Sequence, residues 1–156
     1  MRLALFQPDI AQNTGTLLRL GACLDLPVDI IEPCGFNFAD KSVRRAGMDY
    51  LDMATYKRHA SWNDFLAYRA ENKEEYGRIV LLTTHALMPY TDFKFEKNDI
   101  ILMGRESAGV PEIVHQTADA RLLIPMTKKA RSINVAVSAV MVVGEALRQT
   151  GLFPKI

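Results

Sequence analysis

Short apolar runs recur along the chain at residues 2–7, 28–31, 79–84, 100–103 and 121–126. Runs of this length without a sustained polar break are typical of strands buried on both faces, as in a parallel sheet. We therefore predict that these five segments form the strands of one mostly parallel sheet.

The segments between these runs show the spacing of amphipathic helices. Helices are predicted at 13–24, 62–72 and 133–150, together with a short basic helix at 40–47 that ends at Gly47. A further strand is predicted at 51–56 and a loop at 85–98. Strands that alternate with helices indicate an α/β fold, a mostly parallel sheet with helices on both faces.

The last predicted helix is apolar on almost every side over residues 133–143. A helix without a polar face is buried on more than one side, so it lies at the centre of the fold or packs against another subunit. Gly144 would permit close approach of a second helix, and Gly151 follows as a stop signal. We expect a homodimer that forms through this helix, together with the first one.

The composition fits a single domain over residues 1–156, with 24% charged and 49% hydrophobic residues. The net charge of +1 argues neither for nor against nucleic acid as a partner. Cys23 and Cys34 fit no metal or redox spacing and suggest a reducing compartment. Because no signal-peptide pattern and no membrane-spanning apolar run is found, we expect a cytoplasmic protein.

Several common catalytic signatures are absent from the sequence. The first predicted strand is not followed by G-x-G-x-x-G, and neither G-x-x-x-x-G-K-[ST] nor G-x-S-x-G occurs. His59, His85 and His115 are scattered, with no i,i+4 pair, so no catalytic metal is expected. These absences argue against the usual dinucleotide, P-loop and Ser-His-Asp chemistries.

Two loops carry the polar residues best suited to a binding site. One is Gly104–Pro111, whose glycines at 104 and 109 allow a sharp turn and close approach of a ligand. The other leads through Arg131 and Ser132 to Asn134, at the start of the last helix. Ligands in open α/β sheets bind at the carboxyl ends of the strands, where both loops are expected.

The first helix and the basic helix offer two further candidates. Asn13 is a plausible N-cap, and the amides behind it are suited to an anion. Lys41, Arg44 and Arg45 place three positive charges within five residues. Such a run is usually a solvated face, but near a ligand-binding edge it would equally grip phosphates.

Several motifs follow one another in a specific order: N-x-G at 13–15 with Arg19 six residues after the asparagine, I-I-E-P-x-G-F at 30–36, R-R-A-G-x-D-Y at 44–50, L-T-T at 82–84, G-R-E-S-x-G-x-P at 104–111, I-P-M at 124–126, R-S-x-N at 131–134 and E-A-L-R-Q at 145–149. In this order they resemble the SPOUT methyltransferases. More narrowly, they are similar to the small tRNA 2′-O-methyltransferases that act on the wobble nucleotide of the anticodon loop. Each motif alone is weak, but the set is specific and covers nearly the whole chain.

The resemblance implies a C-terminal deep trefoil knot, S-adenosylmethionine bound in that knot, and a homodimer with the site at the subunit boundary. The product would be S-adenosylhomocysteine, and no metal is implied. Carried over by position, the cofactor-binding residues are Leu82, Thr83, Gly104, Ile124, Met126, Ser132 and Asn134.

The implied reaction transfers the sulfonium methyl group to a ribose 2′-hydroxyl. Arg19 matches the arginine to which the family assigns catalysis; since arginine stays protonated, we expect it to stabilise the developing alkoxide. Asn13, Glu106, Ser132 and Asn134 would orient Arg19 and the cofactor. The residues expected to grip tRNA are Lys41, Arg44, Arg45, Lys128, Lys129 and Arg131.

Two departures from the family pattern concern the last helix. Val135–Val137 stand where close relatives usually carry Leu-Ser-Asn, and Gly144 stands where many carry tyrosine. Two other function classes stay open: a catalytically inactive RNA-binding relative, and an α/β enzyme that acts on a small molecule.

Overall fold

The computed structural model describes residues 1–38 and 41–156, and the side chains of all of these except Ser42 and Met48. Its strands are β1 (Arg2–Phe6), β2 (Val28–Ile31), β3 (Tyr56–His59), β4 (Ile79–Leu82), β5 (Met88–Pro89), β6 (Ile100–Met103) and β7 (Ala120–Leu123). Its helices are α1 (Ala11–Leu24), α2 (Lys41–Gly47), α3 (Trp62–Glu71), α4 (Glu112–Thr117) and α5 (Val135–Thr150), with 3-10 turns η1 (Met48–Asp52) and η2 (Tyr90–Asp92).

The described strands form one sheet in the order β3-β2-β1-β6-β4-β7-β5, and their pairings are all parallel. Alternate side chains enter two apolar layers. Leu3 and Ile30 belong to the layer that α1 and α5 cover, whereas Phe65 and Val114 bring α3 and α4 against the other face. The predicted parallel α/β sheet with helices on both faces is therefore confirmed.

Helix α2 packs directly on α1 at Gly15. A Cβ atom at this position would lie 2.5 Å from the carbonyl oxygen of Val43 and 2.8 Å from the Cβ of Ala46, so the contact requires glycine. The close approach carries η1 along with α2 and sets Tyr50 beside Arg19. The N-x-G and R-R-A-G-x-D-Y motifs thus meet in space as one packing unit.

Helix α5 is fixed at both ends. Asn134 is its N-cap, and Gly151 is its C-cap with φ +66°. Near the C-terminus, the side chain of Gln149 accepts from the Phe95 amide at 3.0 Å and donates to the Phe93 carbonyl at 3.0 Å. The glutamine of the E-A-L-R-Q motif therefore has a structural role, which is to hold the loop before β6 against α5.

Two predictions of secondary structure need correction. The strand predicted at 51–56 is wrong, because its first residues belong to η1 and the pairing with β2 begins only at Tyr56. The segment 85–98, predicted to be a loop, contains the short edge strand β5. A strand of two residues is too short to show a recognisable pattern in the sequence.

The basic helix ends at Gly47 as predicted, since α2 spans Lys41–Gly47. The chain then continues directly into the 3-10 turn η1. Asp40, the predicted first residue, lies outside the described residues.

Within the described part, no helix has the length and apolar character needed to cross a membrane.

Candidate active site

A cavity of about 500 Å³ opens at the carboxyl edge of the sheet, where β1, β6, β4 and β7 are neighbours. The segments that follow these four strands form its walls, as expected for an open α/β sheet. All seven residues predicted to hold a cofactor line it: Leu82, Thr83, Gly104, Ile124, Met126, Ser132 and Asn134. The structure therefore shows that these seven residues line one cavity. That they bind a cofactor stays a prediction.

One wall of the cavity carries a chain of hydrogen bonds between three distant segments. Asn13 on α1 donates through Nδ2 to Glu106 Oε1 at 3.0 Å. Asn134 donates through Nδ2 to Asn13 Oδ1 at 3.2 Å, and its own Oδ1 accepts from the Ala136 and Val137 amides of α5. The structure thus joins three of the five predicted catalytic residues.

The interpretation of Asn13 as an N-cap is wrong. Helix α1 begins at Ala11 with Ile10 as its N-cap, so Asn13 lies inside the first turn. Its buried side chain serves Glu106 and Asn134 and makes no capping bond. The anion site expected behind Asn13 loses its basis as well, because Gly15 is covered by α2.

The loop after β6 folds tightly upon itself. Arg105 and Gly109 exchange backbone hydrogen bonds of 2.9 and 3.0 Å, and Gly109 has φ +63°. A Cβ atom on Gly104 would lie 2.9 Å from the Gly109 backbone, so this second glycine is needed for close approach. The two glycines of the motif therefore shape the loop that borders the cavity.

Asp9, which follows β1, ties this loop to that strand. Its carboxylate accepts from both the amide and the hydroxyl of Ser107, and its own amide donates to Glu106 Oε2 at 2.8 Å. The hydroxyl of Ser107 in particular lowers the pKa of Asp9. Asp9 thus stays ionised and holds the Glu106 loop in place.

Arg105 is a further cavity residue that sequence reasoning had not singled out. Its Nη2 donates to the side-chain oxygen of Gln7, which has a positive φ of 44° just after β1. A positive φ is unusual for a non-glycine residue and is held here by surrounding contacts.

His85 and His115 also line the cavity, with ring centroids 6.2 Å apart. The sequence prediction treated them as scattered, because 30 residues separate them along the chain. The fold brings them together, because His85 follows β4 and His115 lies on α4, which connects the two strands that flank β4. Among the described residues, no group of three or more His, Cys, Asp or Glu is arranged to hold a metal ion.

Arg19 and the six basic residues lie outside the set that lines the cavity. Arg19 is exposed on α1, and its Cζ lies 4.9 Å from the centroid of the Tyr50 ring. The predicted tRNA contacts are all exposed: Lys41, Arg44, Arg45, Lys128, Lys129 and Arg131. Their roles stay predictions, because the fold of one chain does not bring them to the cavity wall.

The family model for the SpoU rRNA Methylase family matches residues 1–144 of the chain. The protein belongs to this family. The match covers the whole sheet, the cavity loops and the first part of α5, and it confirms the resemblance to SPOUT methyltransferases.

Similar proteins cover the chain almost completely. This chain is 59% identical over 154 residues to a tRNA (cytidine(34)-2′-O)-methyltransferase of Beijerinckia indica, and the match covers 99% of this chain and 94% of the relative. A protein of the same name from Escherichia coli K12 is 35% identical over 153 residues, with coverages of 97% and 94%. The similarity to these proteins therefore includes both cavity loops and the C-terminal helix.

Solved structures agree with the fold. A structure described as giving insights into the 2-OH methylation of C/U34 on tRNA superposes with a TM-score of 0.88 at 33% identity, covering 95% of this chain and 94% of that chain. The SpoU methyltransferase AviRb from Streptomyces viridochromogenes, in complex with AdoMet, superposes with a TM-score of 0.85 at 24% identity. It covers 96% of this chain and 57% of that one, and it supports the fold alone.

Proposed function

We propose that this protein is an S-adenosylmethionine-dependent tRNA 2′-O-methyltransferase that acts on the wobble nucleotide, position 34 of the anticodon loop. One observation carries the proposal: Asn13, Glu106 and Asn134 come from separate segments and form one hydrogen-bonded wall of the cavity. The relatives named as cytidine(34) 2′-O-methyltransferases support this choice of substrate.

The residues present fit the proposed cofactor. Leu82, Ile124 and Met126 offer apolar surface for a purine ring, and the backbone of the Gly104 loop offers donors and acceptors. A volume of about 500 Å³ lies within the range of roughly 300–1,000 Å³ typical of small-ligand sites. When bound, S-adenosylmethionine supplies an already activated methyl group, so the protein need only align the reacting atoms and assist proton loss.

The hydrogen-bonded wall of the cavity is suited to aligning the ribose and the cofactor. Glu106 accepts one bond on each carboxylate oxygen, and a carboxylate has room for about four, so both oxygens keep acceptor capacity toward the cavity. Asn13 and Asn134 hold that carboxylate relative to the start of α5, where Ser132 lies. We propose that these groups orient the ribose and the cofactor, and that the hydroxyl proton leaves through a neighbouring group or water.

We propose that Arg19 stabilises the developing alkoxide and a nearby phosphate, within a homodimer. A second subunit is needed in this proposal because Arg19 does not line the cavity of its own chain. The surface suited to a partner copy is a stripe on α5 formed by Val137, Val140 and Met141, which are 52%, 47% and 37% exposed. The described residues leave open space within 4 Å of a Cβ at Gly144, beside this stripe.

Dimerisation has a direct test. Val140→Asp should dissociate or unfold the protein, since an unpaired charge in a dry contact is costly. Val140→Thr is the shape-matched control and should remain largely associated. Sedimentation that finds a stable wild-type monomer at micromolar concentration would contradict the dimer.

For tRNA we propose the two exposed basic groups, Lys41, Arg44 and Arg45, and Lys128, Lys129 and Arg131. Their contacts would be with phosphates, so neutralising one trio should weaken tRNA binding across sequences. The salt dependence should flatten by about one unit of slope per lost phosphate contact. Cofactor binding should survive loss of the 41–45 trio, and unchanged tRNA affinity after loss of both trios would favour a small-molecule substrate.

The proposed function also carries an expectation for the topology of the chain and one for the cellular compartment. We propose that the segment from β7 to α5 is threaded as a trefoil knot, which suits a chain that passes from the sheet edge back to pack α5 against α1 and β6. We also propose the cytoplasm as the place of action, since tRNA is the substrate.

The activity itself is tested by incubating purified protein with S-adenosylmethionine and tRNA, followed by nucleoside mass spectrometry. The proposal expects one 2′-O-methyl group on the nucleotide at position 34. A matched tRNA with a 2′-deoxynucleotide at that position should accept none. Cofactor binding without methyl transfer would favour an inactive RNA-binding relative, and methylation elsewhere in the tRNA would overturn the assignment of the site.

A further inference from the structure

The guanidinium of Arg19 lies over the aromatic ring of Tyr50. The Arg19 Cζ lies 4.9 Å from the ring centroid, within the range of a cation–π interaction. Arg19 is exposed on α1 and Tyr50 is half-buried on η1, so one face of the arginine rests on a partly fixed surface. A long side chain loses rotamer freedom when it makes such a contact, so the ring restrains the direction of the guanidinium.

The elements that carry the two residues are locked together. Gly15 lies one helical turn before Arg19, and a Cβ there would collide with Val43 and Ala46 of α2. Gly47, at the junction of α2 and η1, packs so closely on Leu51 that a Cβ would lie 2.4 Å from its side chain. Close packing at Gly15 and Gly47 therefore restricts where α2 and η1, and with them Tyr50, lie relative to α1.

We infer that Tyr50 is a positioning residue for Arg19: its ring holds the guanidinium in the direction needed to meet the ribose and phosphate of the RNA substrate. The inference rests on the proposed role of Arg19 in methyl transfer. It assigns to the R-R-A-G-x-D-Y motif a task beyond its basic residues, because the motif's glycine and tyrosine set the angle of an arginine on another helix.

The chemistry requires the ring and not the hydroxyl. Tyr50→Phe keeps the face of the ring and should retain kcat within about twofold, whereas Tyr50→Leu should lower kcat about 10- to 100-fold, as for a misplaced reactive group. The Kd for S-adenosylmethionine and the KM for tRNA should stay within about twofold in both variants, because neither the cavity nor the exposed basic residues change. Adding Tyr50→Leu to Arg19→Ala should cause no further loss, since the ring acts only through the guanidinium that is already absent.

A matched control is available on the other face of the sheet. Tyr68 on α3 lies under the ammonium group of Lys57 at 4.1 Å, a contact of the same kind that is far from α1. Tyr68→Leu should leave kcat unchanged after correction for folded protein. An equal loss of kcat in Tyr68→Leu and Tyr50→Leu would show a general effect on stability and would overturn the inference.

A second measurement needs no activity and separates this inference from the proposed function. In the wild type and in Tyr50→Phe, the Arg19 side-chain NMR signals should show a ring-current shift that disappears in Tyr50→Leu. Absence of that shift in the wild type, full kcat in Tyr50→Leu, or an undiminished kcat in Arg19→Ala would each overturn the inference. A wild-type protein that shows the shift but does not methylate tRNA would contradict the proposed function, and with it the role of Tyr50.

Discussion

Two polar clusters, each centred on a carboxylate, serve different ends in this molecule. On the face of the sheet covered by α3, Asp29 is fully buried. Its Oδ2 accepts from Arg2 Nε at 2.7 Å, and its Oδ1 accepts from the Tyr76 hydroxyl at 2.8 Å and lies 2.7 Å from His59 Nε2. At the carboxyl edge, Glu106 is half-buried, with one donor on each oxygen and the cavity beside it. The first carboxylate is enclosed by protein, and the second is presented to a ligand.

The pKa of Asp29 shows the balance of forces in the enclosed cluster. Burial by itself raises the pKa of a carboxyl group, but the hydrogen bonds from His59 and Arg2, the charge of Arg2 and the bond from Tyr76 together outweigh it and lower the pKa. Burial and the nearby carboxylate also raise the pKa of Tyr76, so its hydroxyl stays a donor. A carboxylate whose partners are complete stabilises the fold, whereas one with spare acceptor sites is suited to binding.

The largest effect should follow from breaking the enclosed cluster. Asp29→Ala leaves the guanidinium of Arg2 buried without its counter-ion, and loss of one partner of a buried pair costs about 3–5 kcal/mol. Urea denaturation should show this loss, while the exposed control Glu74→Gln should stay within about 0.5 kcal/mol. A loss below about 1 kcal/mol in Asp29→Ala would mean that the cluster contributes little to stability.

The dependence of stability on acidic pH tests the lowered pKa of Asp29. Because the folded-state pKa of Asp29 lies below its unfolded value of about 3.9, its contribution is fully present above that pH and is lost as pH falls through the lowered pKa. Wild type should therefore lose stability on acidification faster than Asp29→Asn, and the difference between their free energies of unfolding should narrow as the pH falls through the lowered pKa. Parallel curves for the two proteins would contradict the lowered pKa.

Gly104 tests the cavity side of the comparison. Gly104→Ala places a Cβ 2.9 Å from the Gly109 backbone, and such overpacking typically costs about 1–3 kcal/mol. Calorimetry should also show loss of S-adenosylmethionine binding, since the displaced loop borders the cavity. Gly144→Ala is the control with open space around it, and it should leave cofactor binding unchanged; equal affinity in the two variants would remove Gly104 from the site.

The smallest effect on stability should come from Asn134, where capping and cavity contacts can be separated. Asn134→Ala loses the cap of α5, at about 1 kcal/mol, and the bond to Asn13. Asn134→Asp keeps an acceptor for the α5 amides but loses the donor to Asn13, so it should retain stability and still lower kcat. Full activity in Asn134→Asp would show that the Asn13 contact is not needed.

Much of the fold was predictable from local patterns, because strands buried on both faces leave apolar runs and because caps have a sequence signature. The segments β1, β2, β4, β6 and β7 followed directly. The short edge strand β5 and the true start of β3 did not, since an edge strand of few residues carries no continuous apolar run. Asn13 was wrongly predicted to be an N-cap. Asparagine is a favoured cap residue, and the sequence does not show at which residue the helix begins.

The sequence by itself determined the α/β class, the two polar loops and, through ordered motifs, the family. These depend on local backbone preferences and on residue types at fixed spacings. Only the tertiary structure decided that Glu106, Asn13 and Asn134 bond to one another, that Asp29 is enclosed, and that Tyr50 lies beneath Arg19. Such contacts join residues about 30 to 120 positions apart, and strand order and helix packing, which local spacing does not encode, bring them together.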